Sequence, residues 1–397
     1  MPLTTSSDST PGTPALVLGE SVTALGVVRC LGRRGIRALR PGPHGDYASR
    51  SRWSQRLSLE LGSSPSAELL ADYLERLPVE RAVIVPCSDD WTRAVAGLPV
   101  SVRERFPSTV PTPDAVGVFL DKADFAALVE RESVPHPRTI VSDDAAALSK
   151  WASESSSSFF LKPTDSQKFT RRFGFKAMRV DDPGEIQGKL AEAASEGIEL
   201  VLQEYVPGPT TSHHFVDGYA ALDERVVARL GRRRVRMYPP DFGNSTCHVT
   251  IPFAQVAEAA DELERLFASV GYRGIYSAEY KRDERDGALK LLEVNVRPWW
   301  YVEFAALCGV DVCHLAYREA LGLPIEPIGD YEVGARCILP GADVRAYLAL
   351  RRRHELAFGP WLRSWVGASH TVFSLADPLP GLWQLAQVGT RGLRRRR

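Results

Sequence analysis

The chain has 397 residues and little of what marks a secreted, membrane-spanning or metal-stapled protein. No two of its six cysteines form a CxxC pair, so no disulfide framework is predicted and a reducing cytoplasm is the default compartment. No run of about 18 apolar residues predicts a membrane-spanning helix. Residues 1–14 are rich in Ser, Thr and Pro, lack the basic and apolar segments of a signal peptide, and predict a disordered tail.

The charge composition is balanced, because 49 basic residues accompany 49 acidic ones, and nucleic acid is therefore not an expected partner. Lysine is scarce, with eight residues in the chain, a bias typical of a GC-rich and hence bacterial genome. A lysine in an apolar setting is informative for that reason. The GxGxxG pattern of dinucleotide-binding domains is also absent, which argues against a dehydrogenase.

The first hundred residues have the pattern of a parallel α/β sheet. Short apolar strands are predicted at 15–19, 36–39 and 81–86, with a helix between the first two. The polar run 87–90 follows the third strand. It either caps a helix or lies at the edge where parallel strands end and ligands collect, and both interpretations stay open.

Two alternating segments predict a β-hairpin that carries charged residues on one face. Residues 275–283 and 288–296 each alternate between apolar and polar side chains, and a strong Asp-Gly turn signal separates them. A hairpin centred on that turn sets Glu279 opposite Glu293. Asn295, two residues beyond Glu293, projects from the same face of the sheet.

A patch of two carboxylates, an amide oxygen and a guanidinium suits a magnesium ion beside a phosphate group. Mg²⁺ prefers hard oxygen ligands, and water and nucleotide phosphate usually complete its shell. Arg297, just past the hairpin, matches phosphate oxygens with its planar fork. A hairpin with solvated charges is the simpler alternative. For the four residues together we favour a metal–phosphate site with Glu279, Glu293 and Asn295 as metal ligands.

Earlier in the chain, Lys162 lies near the end of an apolar strand at 159–163, and Glu204 lies on a further strand at 199–206. The order of these residues before the acidic hairpin resembles that of the ATP-grasp superfamily. Within the superfamily, the chain is most similar to carboxylate–amine ligases of the carbamoyl-phosphate-synthase-like and D-aspartate-ligase-like group. The resemblance covers roughly residues 15–325, and its specificity comes from the order and spacing of individually weak motifs.

The resemblance implies a role for each matching residue. Nucleotide contacts would come from Lys122, Lys162, Lys176, Gln203, Glu204, Tyr205 and Val206. The hairpin patch would hold Mg²⁺, with Mn²⁺ as an alternative, between the phosphates of ATP. Arg297 would steady the transferring phosphoryl group or an acyl phosphate. ATP and Mg²⁺ are therefore the expected cofactors.

Two basic segments deserve separate interpretation. Many relatives have a glycine-rich phosphate loop where residues 164–176 of this chain have one glycine and four basic side chains. The loop would hold phosphate by side-chain charge, or it would be a lid that becomes ordered when ligand binds. The segment 231–246 lies near the acceptor end of the cleft in the family, and Arg236 would bind the substrate carboxylate there. A basic strand face without a ligand is the alternative. His213 and His214 have no metal-spaced partner and are interpreted as structural or surface residues.

Residues from 340 onward combine tryptophans with clustered arginines. We favour a helical appendage packed on the body of the protein. The alternative is peripheral contact between the basic C-terminal tail and an anionic membrane.

The predicted fold is α/β and α+β: a Rossmann-like pre-ATP-grasp domain, a two-lobed ATP-grasp fold and a C-terminal helical appendage. The predicted boundaries are a tail at 1–14, the Rossmann-like domain at 15–115, a small lobe at 116–206, a large lobe with the metal site at 207–330, and the appendage at 331–397.

The resemblance implies an ADP-forming, ATP-dependent carboxylate–amine ligase that makes amide or peptide bonds through an acyl phosphate. Its partners would be small carboxylates and amines, amino acids or peptides among them. Two alternatives stay open. One is carboxylate activation of the carbamoyl-phosphate type, which the lack of glutaminase or biotin-carrier segments disfavours. The other is a nucleotide-sensing module without turnover, which the intact metal-ligand set disfavours.

Overall fold

A computed structural model describes residues 12–394 with a set of short gaps. The gaps are residues 43–44, 60, 63–64, 142–144, 155–157, 164–177, 181, 224 and 241–242. Most of the predicted tail lies outside the described residues. The basic loop with Lys168, Arg171, Arg172 and Lys176 also lies outside them, so the nucleotide contact of Lys176 stays a prediction.

The first sheet is parallel and has the strand order β3-β2-β1-β4. Its strand β1 is buried on both faces: Ala15 and Val17 pack in the cluster around α1, while Leu16 and Leu18 pack in the cluster of α2, α3 and α4. The elements are β1 (Ala15–Leu18), α1 (Ser21–Arg33), β2 (Ala38–Arg40), β3 (Ser54–Arg56), α2 (Ala67–Arg76), β4 (Val83–Pro86), α3 (Asp89–Ala96) and α4 (Val100–Arg105).

The second sheet is antiparallel, with the order β5-β8-β6-β7. In β6, Phe159 and Leu161 are buried in the core beneath α7 and α8, so Phe160 and Lys162 project from the opposite face. The elements are α5 (Pro113–Leu120), α6 (Lys122–Arg131), β5 (Thr139–Ile140), α7 (Ala145–Glu154), β6 (Phe159–Pro163), β7 (Met178–Val180), α8 (Ile186–Ser195) and β8 (Leu200–Glu204).

The third sheet has seven strands in the order β13-β12-β9-β10-β11-β14-β15. Val216, Ala278 and Val294 pack on one face in the cluster that includes α9, so the alternate side chains of these strands lie on the other face. The elements are β9 (His213–Ala220), β10 (Val226–Tyr238), β11 (Asn244–Thr250), α9 (Ala257–Val270), β12 (Gly274–Arg282), β13 (Leu289–Asn295), α10 (Val302–Leu307) and α11 (Val312–Ala320).

Strand β10 is longer than its apolar pattern predicts. The sequence indicates a strand at 225–230 followed by a basic segment, but the strand continues through that segment to Tyr238. The reason is that Arg232, Arg234 and Arg236 are each buried against a carboxylate from another element. Paired charges therefore occupy positions where the sequence predicted arginines that bind a substrate carboxylate or a basic strand face without a ligand.

The C-terminal region contains strands as well as helices. β14 (Arg336–Ile338) pairs with β11, and β15 (Ser369–His370) pairs with β14, so this part of the chain extends the third sheet. Its helices are α12 (Pro340–Arg352), α13 (Phe358–Trp365) and α14 (Leu379–Arg394). None of the described helices is both long enough and apolar enough to cross a membrane.

Candidate active site

The hairpin of β12 and β13 has the register predicted from its sequence. Glu279 lies opposite Glu293 and Ser277 lies opposite Asn295, so both carboxylates and the amide share the face turned away from the α9 cluster. The turn contains Gly287 at φ 77°, a conformation that glycine adopts without strain. The Asp-Gly signal therefore determines which residues of the two strands face each other.

Glu279 is held by a cation and an imidazole. Its Oε1 accepts a hydrogen bond from Arg234 at 2.8 Å and lies 2.7 Å from Nδ1 of His213. Burial alone would raise the pKa of the Glu279 carboxyl, but Arg234 and His213 outweigh burial and hold that pKa well below its usual range. Burial and Arg234 lower the pKa of His213 to about 4, so near neutral pH this ring is uncharged.

Two lysines lie on the side of the second sheet. Lys122 is the first residue of α6, whose first turn is capped by Asp121, and Lys162 donates to the side-chain oxygen of Gln203. Burial lowers the pKa of the Lys162 ammonium, Lys122 lowers it further, and Glu293 acts in the opposite direction. An anionic ligand beside these two ammonium groups would relieve their repulsion.

The end of β8 lines the same space. Val201, Gln203 and Glu204 of β8 line it, as do Tyr205 and Val206 just beyond the strand. Glu204 pairs with Arg285, and the Lys281 ammonium lies 4.4 Å from the centre of the Tyr205 ring. Burial and the neighbouring Arg234 lower the pKa of Lys281 to about 8.

Arg297 links the hairpin to the first sheet. Its guanidinium donates to both carboxylate oxygens of Asp89, at 2.7 and 3.3 Å, and to Asn295 Oδ1 at 3.0 Å. Burial alone would lower the pKa of Arg297, but Asp89 and Glu293 raise it above its usual value. Because Ser88 caps α3, the polar run after β4 is both a helix cap and part of the site.

All of these groups line one cavity of about 340 Å³. That volume is typical of a small-molecule site. Lysines, arginines and carboxylates all line it, and its walls come from α6, the second sheet, the third sheet and the polar run after β4. The side chains described above that line it are Asp89, Lys122, Lys162, Gln203, Glu204, Tyr205, Val206, His213, Arg234, Glu279, Lys281, Glu293, Asn295 and Arg297.

Two curated proteins share sequence with the chain, although no family model matches it. The chain is 20% identical over 251 residues to a D-aspartate ligase of Enterococcus faecium, a match covering 60% of this chain and 59% of that protein. It is 27% identical over 232 residues to the carbamoyl phosphate synthase large chain of Deinococcus radiodurans, covering 55% of this chain and 21% of that protein. The chain thus spans less than two thirds of either relative.

Solved structures match the chain over most of its length. The biotin carboxylase domain of a Hydrogenobacter thermophilus 2-oxoglutarate carboxylase, with MgADP and bicarbonate, matches with TM-score 0.64 and 16% identity, over 82% of this chain and 73% of that one. An L-amino acid ligase from Bacillus licheniformis matches with TM-score 0.60 and 14% identity, over 80% and 76%. A carboxyaminoimidazole ribonucleotide synthase from Aspergillus clavatus, complexed with ATP, matches with TM-score 0.63 and 16% identity, over 82% and 80%.

The chain has the ATP-grasp fold. The resemblance stated from the sequence is confirmed by both sets of relatives. At sequence identities this low, the structural matches establish the fold of the chain and no more. Which residues act, and on which substrates, has to be argued from the cavity itself.

Within the ATP-grasp fold, Arg236 is not among the described residues that line the cavity. Its guanidinium is 5% exposed and donates to both oxygens of Asp343 in α12, at 2.8 and 2.9 Å. Arg234 lines the cavity, and the strand register is irregular between Arg234 and Arg236. The substrate contact predicted for Arg236 therefore fits Arg234 better.

His213, interpreted from the sequence as a structural or surface residue, also lies in the cavity. Its partner Glu279 is 66 residues away, and the two meet only because β9 pairs with β12. A histidine at the start of the strand that flanks the acidic hairpin is the signal that could have identified it. That signal depends on knowing which strand lies next to β12.

The hairpin offers a partial ligand set for magnesium. Among the residues that the structure describes, no group of three or more His, Cys, Asp or Glu side chains is placed to hold a metal ion. Glu279, Glu293 and Asn295 line the cavity and could provide oxygen ligands. The Asn295 oxygen accepts a hydrogen bond from Arg297, and the Asn295 amide N–H group lies 3.3 Å from Glu293 Oε1. These donors fit an ion that takes its remaining ligands from phosphate and water.

Proposed function

We propose that the chain is an ATP-dependent carboxylate–amine ligase. The γ-phosphoryl group of ATP is transferred to a substrate carboxylate, which gives ADP and an acyl phosphate. An amine then attacks the acyl carbon, an amide or peptide bond forms, and phosphate leaves. The D-aspartate ligase and the L-amino acid ligase among the similar proteins support amino acids or peptides as the substrate class.

The observation that carries this proposal is that two lysines and an acidic hairpin line one cavity. Lys122 and Lys162 come from α6 and the second sheet, whereas the paired Glu279 and Glu293 come from the third sheet. Phosphoryl transfer is catalysed mainly by positioning and charge neutralisation, and it needs no covalent nucleophile on the protein. A triphosphate between the lysines and the acidic hairpin satisfies both sides.

The nucleotide end of the cavity is assigned to β8 and the two lysines. The backbone of residues 203–206 is assigned to the adenine edge, and the N–H groups of Glu204 and Tyr205 in this run already donate to the carbonyl groups of Arg138 and Ser158. Lys162, held by Gln203, neutralises phosphate charge as a compact point charge. Lys122 does the same from the N-terminal turn of α6, where the helix dipole also favours an anion.

The metal is assigned to Glu279, Glu293 and Asn295, with Mg²⁺ expected and Mn²⁺ as an alternative. When bound, the ion supplies positive charge to the phosphate oxygens. Because Arg234 and His213 keep the Glu279 pKa low, this carboxylate has no proton to lose before it binds a cation. The same two partners engage its Oε1, so they compete with the ion for that oxygen.

The acceptor end is assigned to Arg234 and Arg297. Both guanidinium groups line the cavity, where Arg297 already donates to Asp89, and Arg234 donates to Ser245 and Glu279. Their positive charge and remaining N–H groups are assigned to a carboxylate or an acyl phosphate. Asp89 holds Arg297 in place, so the first sheet contributes directly to substrate positioning. Enclosure of the acyl phosphate matters because water would otherwise hydrolyse it.

The proposal is tested by ADP release from Mg·ATP with pools of L-amino acids, D-amino acids, small carboxylic acids and bicarbonate. Mass spectrometry of each mixture identifies the products. We expect one pool to raise ADP release and to yield a mass equal to the condensation of two of its members. A response to bicarbonate alone would favour carbamoyl-phosphate-type activation. Nucleotide binding with no turnover in any pool would favour a sensing module.

A further inference from the structure

The helices α12 and α13 expose an unusual amount of apolar surface. Of the sixteen large apolar residues that are exposed in the described structure, nine lie between residues 340 and 394. Five of these lie in α12, in α13 or directly after α13, and we call them the α12–α13 face: Val344, Leu348, Phe358, Leu362 and Val366, exposed by 38, 45, 54, 48 and 73%. Scattered apolar residues on a surface are ordinary, but a concentration of them marks an interaction site.

The α12–α13 face is built on a fixed support. Tyr347 of α12 stacks on Trp361 of α13, with ring centres 4.4 Å apart, and also contacts Phe358. The indole N–H groups of Trp361 and Trp365 each donate to the buried carboxylate of Asp343 at 2.9 Å. The two helices are therefore joined to each other and to the third sheet, and the exposed side chains project from an ordered surface.

The charge of this region differs from that of the whole chain. Residues 340–394 contain seven arginines and three acidic residues, Asp343, Glu355 and Asp377. Asp343 and Asp377 are fully buried in ion pairs with arginines of the body. Arg352 and Arg363 are among the exposed arginines of α12 and α13, so the outer surface is strongly basic in a chain whose net charge is zero.

We propose that the α12–α13 face docks the protein on an anionic lipid surface. Aliphatic side chains beside arginines are suited to the boundary between acyl chains and headgroups. There the aliphatic side chains enter the lipid, and the arginines bind phosphate. A second copy of the chain would bring two arginine-rich surfaces together, which like-charge repulsion opposes. Nucleic acid would match the arginines but not the exposed aliphatic side chains.

Vesicle co-sedimentation of the full chain tests this proposal independently of any catalytic activity. We expect the protein to pellet with phosphatidylcholine vesicles that contain about 30% phosphatidylglycerol, and to stay in solution with phosphatidylcholine alone. Bound protein decreases as salt is raised, because salt screens the attraction.

Two double variants and one control separate the contributions of the arginines and of the apolar side chains to vesicle binding. Arg352→Gln with Arg363→Gln weakens vesicle binding by about fivefold for each arginine removed. Leu348→Ser with Leu362→Ser, which changes one exposed residue in each helix, abolishes the part of the binding that survives high salt. The control, Arg81→Gln with Arg265→Gln, removes two exposed arginines outside this region and leaves binding unchanged.

Circular dichroism and the melting temperature establish that each variant is folded. Absence of pelleting with anionic vesicles, or equal pelleting of the control and the test variants, would overturn the proposal. So would a concentration-dependent dimer that Leu348→Ser with Leu362→Ser dissociates, because the face would then be a contact between copies of the chain.

Discussion

At the scale of single residues, Glu293 and Glu284 differ mainly in where the hairpin places them. Glu293 lines the cavity opposite Glu279, whereas Glu284 is exposed in the turn. Glu293→Gln removes a carboxylate from the proposed metal site and should lower Mg²⁺-dependent ADP release by at least about 100-fold. Glu284→Gln makes the same chemical change outside the site and should leave the rate unaltered. Equal rates for both variants would show that the metal is held elsewhere.

His213 makes stability depend on pH at this site. Its pKa is lowered from 6.5 to about 4 in the folded protein, so the unfolded chain accepts a proton that the folded chain resists. Stability contributed by this residue is present above about pH 6.5 and is lost as the pH falls toward 4. Between neutral pH and about pH 4.5, the wild type should lose about 2 kcal/mol more unfolding free energy than His213→Gln.

Urea denaturation at the two pH values measures this difference. Parallel curves for the wild type and His213→Gln would mean that the imidazole is not kept neutral by its surroundings. The denaturant midpoint is the quantity to compare, because the slope should be the same for both proteins.

Sequence reasoning located the residues whose partners are close in the chain. The alternating pattern and the Asp-Gly turn predicted the pairing of Glu279 with Glu293, because a hairpin register is set locally. It missed His213 beside Glu279, and it did not predict that Asp89 would hold Arg297 across 208 positions. Such contacts depend on which strands become neighbours, and one sequence without relatives does not contain that information.

At the scale of elements, Asp343 joins α12 to the third sheet. Its buried carboxylate accepts hydrogen bonds from Arg236 and Thr246 and from the indoles of Trp361 and Trp365. Asp343→Ala leaves the Arg236 guanidinium buried without a counter-charge and should reduce the unfolding free energy by about 3–5 kcal/mol.

A double variant is the control for this prediction. Arg236→Met with Asp343→Leu removes both charges and should recover much of the lost stability, because apolar residues can replace a buried ion pair. A loss below about 1 kcal/mol for Asp343→Ala would indicate that the pair is effectively solvated and that Arg236 is available to a ligand.

The elements that the sequence indicated well are those with a clear period. β1, β2 and β4 of the first sheet and the acidic hairpin follow the apolar pattern, whereas β3, with the sequence Ser-Gln-Arg, does not. The strand predicted at 225–230 is shorter than β10 because buried arginines interrupt the apolar pattern. β14 and β15 have three and two residues, too few for any period to be visible. β14 pairs with the open side of β11, and β15 then pairs with β14 as the edge strand of the sheet.

At the scale of the whole molecule, ligand binding should stabilise the fold because the cavity takes its walls from separate parts of the chain. A saturating nucleotide at about 100 times its dissociation constant adds about 2.7 kcal/mol. The melting temperature should therefore rise with Mg·ATP in the wild type and in Lys150→Met, whose lysine is exposed. The rise should be much smaller in Lys162→Met.

An unchanged shift in Lys162→Met would place the phosphates away from β6 and would contradict the assigned orientation of the nucleotide. Comparison with ADP in place of ATP adds a second readout. Lys162 should contribute to the binding of both ATP and ADP. If it contacts the γ-phosphate, Lys162→Met should reduce the melting-temperature shift more with ATP than with ADP.

The ATP-grasp fold was predictable from the order of weak motifs. That order is a property of the whole chain, and it can be recognised without knowing which residues contact each other. The order lysine, nucleotide strand, acidic hairpin was sufficient to indicate the ATP-grasp fold, even at identities of 20 and 27% to curated relatives. The substrates were not predictable in this way, because Asp89, Arg234 and Arg297 come to line one cavity only in the folded structure.

The most direct test of the central claim is to trap the acyl phosphate with hydroxylamine in place of the amine substrate. Purified protein is supplied with Mg·ATP, hydroxylamine and pooled carboxylic acids, including amino acids, and both ADP and acyl hydroxamate are measured. We expect equal amounts of ADP and acyl hydroxamate from the wild type and neither product from Glu293→Gln. ADP release without hydroxamate, in a pool that contains the substrate of the amide-forming reaction, would contradict an acyl-phosphate ligase.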